Sequence, residues 1–200
     1  MSRSVSCQFR TILVHLIGDA DGNGLIQPND AALVLQAVVR KIVPGGIQSL
    51  RMDASGNGTI FSFDASLILR KIAGLITTFP AGSTYVQKPV VRPEVLPSLA
   101  ALSDDQGLLH LTLNLAQVTA VHAAGIAFTY DPARFRFEGA EQPEGVAAFL
   151  LEVLDQMEEG MGTVRLALAG TAPLESDGAL VRVRFRPLLG DAPVSDIVLT

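Results

Sequence analysis

Asp19, Asp21, Asn23 and Asp30 place four oxygen-bearing side chains at the first, third, fifth and twelfth positions of the stretch DADGNGLIQPND. Alternate side chains of a short curled loop converge on one point, and a hard cation taking about 6–8 oxygens at roughly 2.3–2.6 Å is what such a loop surrounds. Gly24, sixth, allows the sharp bend, Leu25, seventh, offers its backbone carbonyl, and Gln27, ninth, reaches the ion directly or through water. The spacing is that of a calcium loop. A hairpin turn at Asp21-Gly22 or Asn23-Gly24 would explain the glycines, but it has no use for carboxylates at fixed intervals.

The loop occurs twice. A shift of 34 residues superposes Asp19 on Asp53, Gly22 on Gly56, Asn23 on Asn57, Gly24 on Gly58, Ile26 on Ile60 and Asp30 on Asp64. The second ligand set is then Asp53, Ser55, Asn57, the Thr59 carbonyl and Asp64, with Phe61 at the ninth position. It has two carboxylates where the first has three, which predicts a weaker second site. Two calcium ions are expected. The same shift carries Ala31, Leu33, Leu35, Val38 and Ile42 onto Ala65, Leu67, Leu69, Ile72 and Ile76, apolar positions at helical spacing. Each loop is therefore expected to run into a helix, ended by Pro44-Gly45-Gly46 in one copy and Thr78 to Pro80 in the other. The segment before the first loop, TILVHLIG, is β-branched and reads as strand, so no entering helix is expected.

The elements beyond residue 90 differ in kind. Residues 1–90 carry a net charge of +3 and residues 91–200 one of −8, and all five acids of the first part fall at proposed ligand positions. Leu109, Leu111, Leu113 and Leu115 alternate with polar or small residues, as do Ile126, Phe128 and Tyr130, then Val164, Leu166 and Leu168, then Val181, Val183 and Phe185 against Arg182, Arg184 and Arg186. These are strands with one buried face, with turns at Asp131-Pro132 and Asp177-Gly178. Val146, Phe149, Leu150, Val153, Leu154 and Met157 follow helical spacing instead, which predicts one helix at the sandwich edge. The fold class is thus a small all-α calcium-binding module joined to a β-sandwich with one helix. The boundaries are a strand-like segment 1–17, the module 18–80, a Pro-rich linker 81–93 and the sandwich 94–200.

Loop plus exiting helix, used twice with Asp at the twelfth position, resembles the dockerin module over residues 18–80. The resemblance implies the two ligand sets above, with Ile26 and Ile60 bridging the loops. It further implies a docking surface at the tenth and eleventh loop residues, here Pro28 and Asn29 and Ser62 and Phe63, together with a basic pair, Arg70 and Lys71. GIAFTYDPARFRFEG (125–139) and DGALVRVRFRPLLGD (177–191) resemble strands of cohesin domains, which are nine-stranded jelly rolls that receive dockerins. Six or seven strands are legible here, so the domain reads as truncated. The implied function is non-catalytic, calcium-dependent docking with a cohesin- or dockerin-bearing protein. The implied setting is extracellular or at a cell surface, in a cellulosome-like, polysaccharide-degrading assembly. Head-to-tail self-association follows if both halves are competent, with the short linker hindering closure within one molecule.

Other classes fit less well. A calcium sensor needs an entering helix that swings open, and a glycosidase needs a positioned carboxylate pair for which no motif stands out, although a non-catalytic fragment of a carbohydrate-active enzyme fits the same composition. A sequence pI near 5.1 argues against nucleic acid, and no apolar run of about 18 residues suggests a membrane span. Cys7 alone forms no internal disulfide, and His15, His110 and His122 have no zinc spacing. The basic start lacks a small-residue cleavage site.

Overall fold

The twelfth residue of each loop is also the third residue of a helix. In the computed structural model, which describes residues 16–82, 96–118, 120–144, 149–175, 177–189 and 192–200, Pro28–Val38 forms α1 and Ser62–Ile72 forms α3. Asp30 and Asp64 each accept the N–H of the preceding cap residue, Gln27 or Phe61, at 2.8 Å. One carboxylate thus satisfies an N-terminal donor and sits at the positive end of the helix dipole. Both helices stop earlier than the apolar pattern suggests. After α3, Gly74 adopts φ 72° and Leu75 N–H closes back onto the Arg70 carbonyl at 2.9 Å; after α1, Arg40 adopts φ 67° and Lys41 N–H closes onto Gln36 at 2.8 Å. Both ends take a left-handed residue to satisfy last-turn carbonyls.

A short helix, α2 (Gly46–Met52), leads into the second loop and was not legible in the sequence. Leu16 to Gly18, by contrast, form no strand; the strand reading of residues 11–15 and the linker reading of residues 83–93 lie outside the described residues. The start and end of the helical part meet. A Cβ on Gly18 (φ 90°) would lie 2.7 Å from the Phe79 ring, and Ala81 N–H donates to the Ala54 carbonyl at 3.2 Å.

Residues 96–199 build two four-stranded antiparallel sheets. One has the order β1 (Leu96–Ser103), β2 (Leu109–Ala116), β7 (Gly178–Pro187), β4 (Phe135–Glu141); the other β5 (Leu150–Glu158), β6 (Met161–Leu174), β3 (Val121–Tyr130), β8 (Ile197–Leu199). The expected alternation holds in β2, where Leu109, Leu111, Leu113 and Leu115 are buried and their neighbours half-buried. Phe128, Phe135 and Phe185 fill the space between the sheets, with Tyr130 against Phe185 at 5.2 Å in an edge-on arrangement.

Three expectations are corrected. The predicted edge helix is strand β5, from Leu150 to Glu158, while Val146 lies outside the described residues. Leu151 and Val153 pack on the sandwich core, and Leu150 and Leu154 pack on the helical cluster. Apolar residues on both faces therefore erased the strand's period of two. The helical part does not stand clear of the sandwich: α1 and α3 lie on the outer face of β5, β6 and β3, and Ala167 and Ala169 are 0% exposed beneath them. The linker does not prevent this closure within one chain, since the 13 residues between Gly82 and Leu96 can reach about 45 Å when extended.

Candidate metal centres and docking face

The two loops share one set of backbone-to-side-chain bonds. Asp19 accepts N–H bonds from Gly22 (2.9 Å) and Gly24 (3.0 Å), and Asp53 accepts them from Gly56 and Gly58 (2.8 Å each). Asp30 accepts from Asp21 N–H at 3.1 Å as Asp64 does from Ser55 N–H at 2.8 Å, and Asn23 and Asn57 accept from Leu25 and Thr59 N–H at 2.8 Å. Gly22, Gly24, Gly56 and Gly58 all have φ between 74° and 88°. That left-handed backbone is what curls each loop around its acids, and it is the conformation glycine adopts at least cost.

Ligand atoms of Asp19, Asp21 and Asp30 come within 4.8 Å of one another. Asp19 and Asp30 are buried, and among the described residues no Lys or Arg forms an ion pair with any of the five loop acids. Three converging carboxylates with no ion-paired Lys or Arg are a donor set suited to a hard divalent ion, although the Arg51 guanidinium lies against Gly22 at the edge of the loop. On the exposed side the Asn23 side-chain N–H donates to Asp21 at 3.0 Å and lies 3.4 Å from the Gln27 side-chain oxygen. The second loop brings Asp53 and Asp64 together with Ser55, whose hydroxyl donates to Asp53 at 3.1 Å, while Phe61 offers no side-chain oxygen. Burial pushes the Asp64 carboxyl above the usual carboxylate range; N–H bonds from Phe61 and Ser55 pull it back, and Asp53 adds repulsion. A bound cation would offset both the burial and the repulsion. Ile26 and Ile60 are half-buried against the same helical core.

The six residues expected to face a partner divide into two groups. Pro28 and Asn29 are exposed on α1. On α3, Ser62 is buried by the chain's own sandwich and donates to the Ala124 carbonyl of β3 at 2.9 Å. Four residues on, Ser66 is 0% exposed and donates to the Gly170 carbonyl of β6 at 2.8 Å; nothing in the sequence singled it out. Phe63 remains exposed. Arg70 is half-buried near His122, whose pKa burial and the Arg70 charge depress while Glu175 opposes them. Lys71 turns back to the Thr77 carbonyl. At the edge of this contact Lys41 pairs with Glu152 of β5 at 2.7 Å. The seat itself is made of small residues, Ala123, Gly125, Ala167 and Ala169, which let the α3 backbone approach the sheet.

The opposite sheet explains the arginine row. Arg182 and Arg184 pair with Glu141 at 3.6 and 3.2 Å, and Arg186 and Arg136 with Glu138 at 3.1 and 2.7 Å. This is a cross-strand charge ladder on a solvated face, and it needs no acidic partner. No helix among the described residues is long and apolar enough to cross a membrane.

No protein-family model and no curated protein matches the chain. Solved structures do. One chain from a complex of the third cohesin of ScaC with the ScaB dockerin of Acetivibrio cellulolyticus is 38% identical over 34% of this chain and 97% of its own, with a TM-score of 0.33. A chain from the complex of the sixth cohesin of scaffoldin B with the Cel5 dockerin, from the same organism, is 13% identical over 53% and 81%, with a TM-score of 0.41. The cohesin module of a Clostridium perfringens family 33 glycoside hydrolase is 17% identical over 53% and 93%, with a TM-score of 0.35.

Proposed function

We propose that this chain is a non-catalytic docking protein in which two calcium loops shape a dockerin-like pair of helices and the sandwich supplies a cohesin-like receiving face. The observation that carries the reading is the duplicated loop-and-helix unit with its converging carboxylates, seated through α3 on one sheet of a two-sheet sandwich. Calcium would hold Asp19, Asp21, Asn23, the Leu25 carbonyl, Gln27 and Asp30 in the first loop and Asp53, Ser55, Asn57, the Thr59 carbonyl and Asp64 in the second. Its role is to fix the angle at which α1 and α3 leave their loops, because helices of 11 residues are marginal alone. A protein built this way works outside the cell or on its surface, joining components of polysaccharide-degrading assemblies.

The test is calorimetric titration of calcium into chelator-treated protein, followed by circular dichroism with and without the ion. Two binding events, the tighter lost in Asp21→Ala, and a gain of helical signal are expected. Absence of heat at millimolar calcium, or an unchanged spectrum, would refute the metal reading.

A further inference from the structure

Ala167 and Ala169 point away from the sandwich core yet are 0% exposed, because α3 covers them. The cover is specific rather than a loose apolar contact. Ser62 and Ser66, one helical turn apart, each place a hydroxyl on a strand carbonyl, and Lys41 locks the rim to Glu152. The repeat makes the specificity visible. Thirty-four residues earlier, the positions of Ser62 and Ser66 hold Pro28 and Ala32, neither of which has a hydroxyl to donate. Of two faces built on the same backbone plan, only the one on α3 can make both bonds, and α3 is the helix seated on β6 and β3 while α1 lies towards β5 and β6.

We infer that the outer face of β5, β6 and β3 is a docking surface whose resident occupant is the chain's own loop-and-helix module, so that an external module of the same chemistry binds only by displacing it. The inference rests on the docking reading above for the nature of the external partner, and on the Ser62, Ser66 and Lys41 contacts for the occupancy. A short tether presents its own end at an effective concentration of about 1 mM. For a contact of about micromolar intrinsic affinity, an equal external competitor is weakened about 10³-fold. Chains of this kind stay apart although each carries both halves of a docking pair.

The test uses full-length chains and the Lys41–Glu152 pair, which a carbodiimide joins as an amide. A mixture of ¹⁴N and ¹⁵N wild-type protein is expected to run as monomer and to give a 41–152 cross-linked peptide in which both halves carry the same isotope. Ser66→Glu spoils the module's face and leaves the sheet intact, whereas Ala169→Glu spoils the sheet and leaves the module intact. Each variant alone is expected to lose the cross-link. Mixed, they are expected to form a one-to-one complex that regains it, with Lys41 from the Ala169→Glu chain and Glu152 from the Ser66→Glu chain. If circular dichroism shows Ser66→Glu to be unfolded, Ser66→Val replaces it.

Mixed-isotope peptides in the wild type would overturn the inference, because the face would then be filled from a second chain. A cross-link that survives in both variants, or folded variants that do not complement each other, would overturn it as well. Calcium calorimetry on the same samples keeps the two readings apart. Absence of calcium heat with the cross-link intact would remove the metal reading and leave the self-occupied face standing.

Discussion

The two helix ends allow a prediction with its own internal control. Arg40 and Gly74 occupy the same position in the repeat and have nearly the same left-handed backbone, φ 67° and 72°. A residue with a Cβ pays about 1–2 kcal/mol for that conformation, and replacing it by glycine returns about 0.4–1 kcal/mol to the unfolded chain as extra freedom. Arg40→Gly is therefore expected to stabilise by a net of about 0.5–1 kcal/mol. The Arg40 charge lost near Glu158 is exposed and subtracts little. Gly74→Ala should do the reverse. A Cβ there meets nothing within 4 Å, so the cost is conformational alone, about 1 kcal/mol. In guanidinium unfolding at saturating calcium, which holds metal linkage constant, the midpoint should rise for Arg40→Gly and fall for Gly74→Ala with unchanged slope. In thermal scans each kcal/mol is about 2–4 °C, and the double variant should lie near wild type. A lower midpoint for Arg40→Gly, or no change for Gly74→Ala, would refute the reasoning.

Asp21→Asn should weaken the first calcium site about tenfold, and Ser55→Asp should tighten the second by a similar factor, both read by calorimetry. Gly162→Ala should cost about 1–3 kcal/mol in chemical denaturation. The added Cβ would lie 2.2 Å from the Tyr130 ring, which its hydroxyl bond to Asp155 at 2.9 Å holds in place. His122 has a folded pKa below its ordinary 6.5, so its contribution to stability is present above about pH 6.5 and is lost as pH falls through the depressed value. Wild type should therefore lose more stability than His122→Gln between pH 7 and pH 5, and equal losses would exclude His122.

The sequence was most legible where one face alone is buried. β2 and β7 show it: their leucines and valines alternate with polar or charged neighbours, and their outer faces meet water or the ladder of Arg182, Arg184 and Arg186 with Glu138 and Glu141. It was least legible where the two halves of the chain meet. In β5 the helices cover Leu150 and Leu154, so apolar residues appear on both faces and imitate helical spacing. In β6 and β3 the seat beneath α3 consists of Ala167, Ala169, Ala123 and Gly125, which in a period-two pattern look like an indifferent solvent face. Ser66 was missed for the same reason, since a lone serine in a helix carries no mark of the carbonyl it will find 104 residues later. The curled backbone of the loops was legible because the glycines and acids that shape each one lie within twelve residues. Helix α2 was hidden by Gly45-Gly46, which read as an ending and serve as a beginning.

Phe79 lies against Gly18, and Ala81 is tied to Ala54, so the entrance and exit of the helical unit are neighbours. Such a unit can be circularly permuted, with the old ends joined by a few residues and a new opening cut near Pro44 and Gly45, or spliced into a surface loop of an unrelated protein without forcing that loop apart.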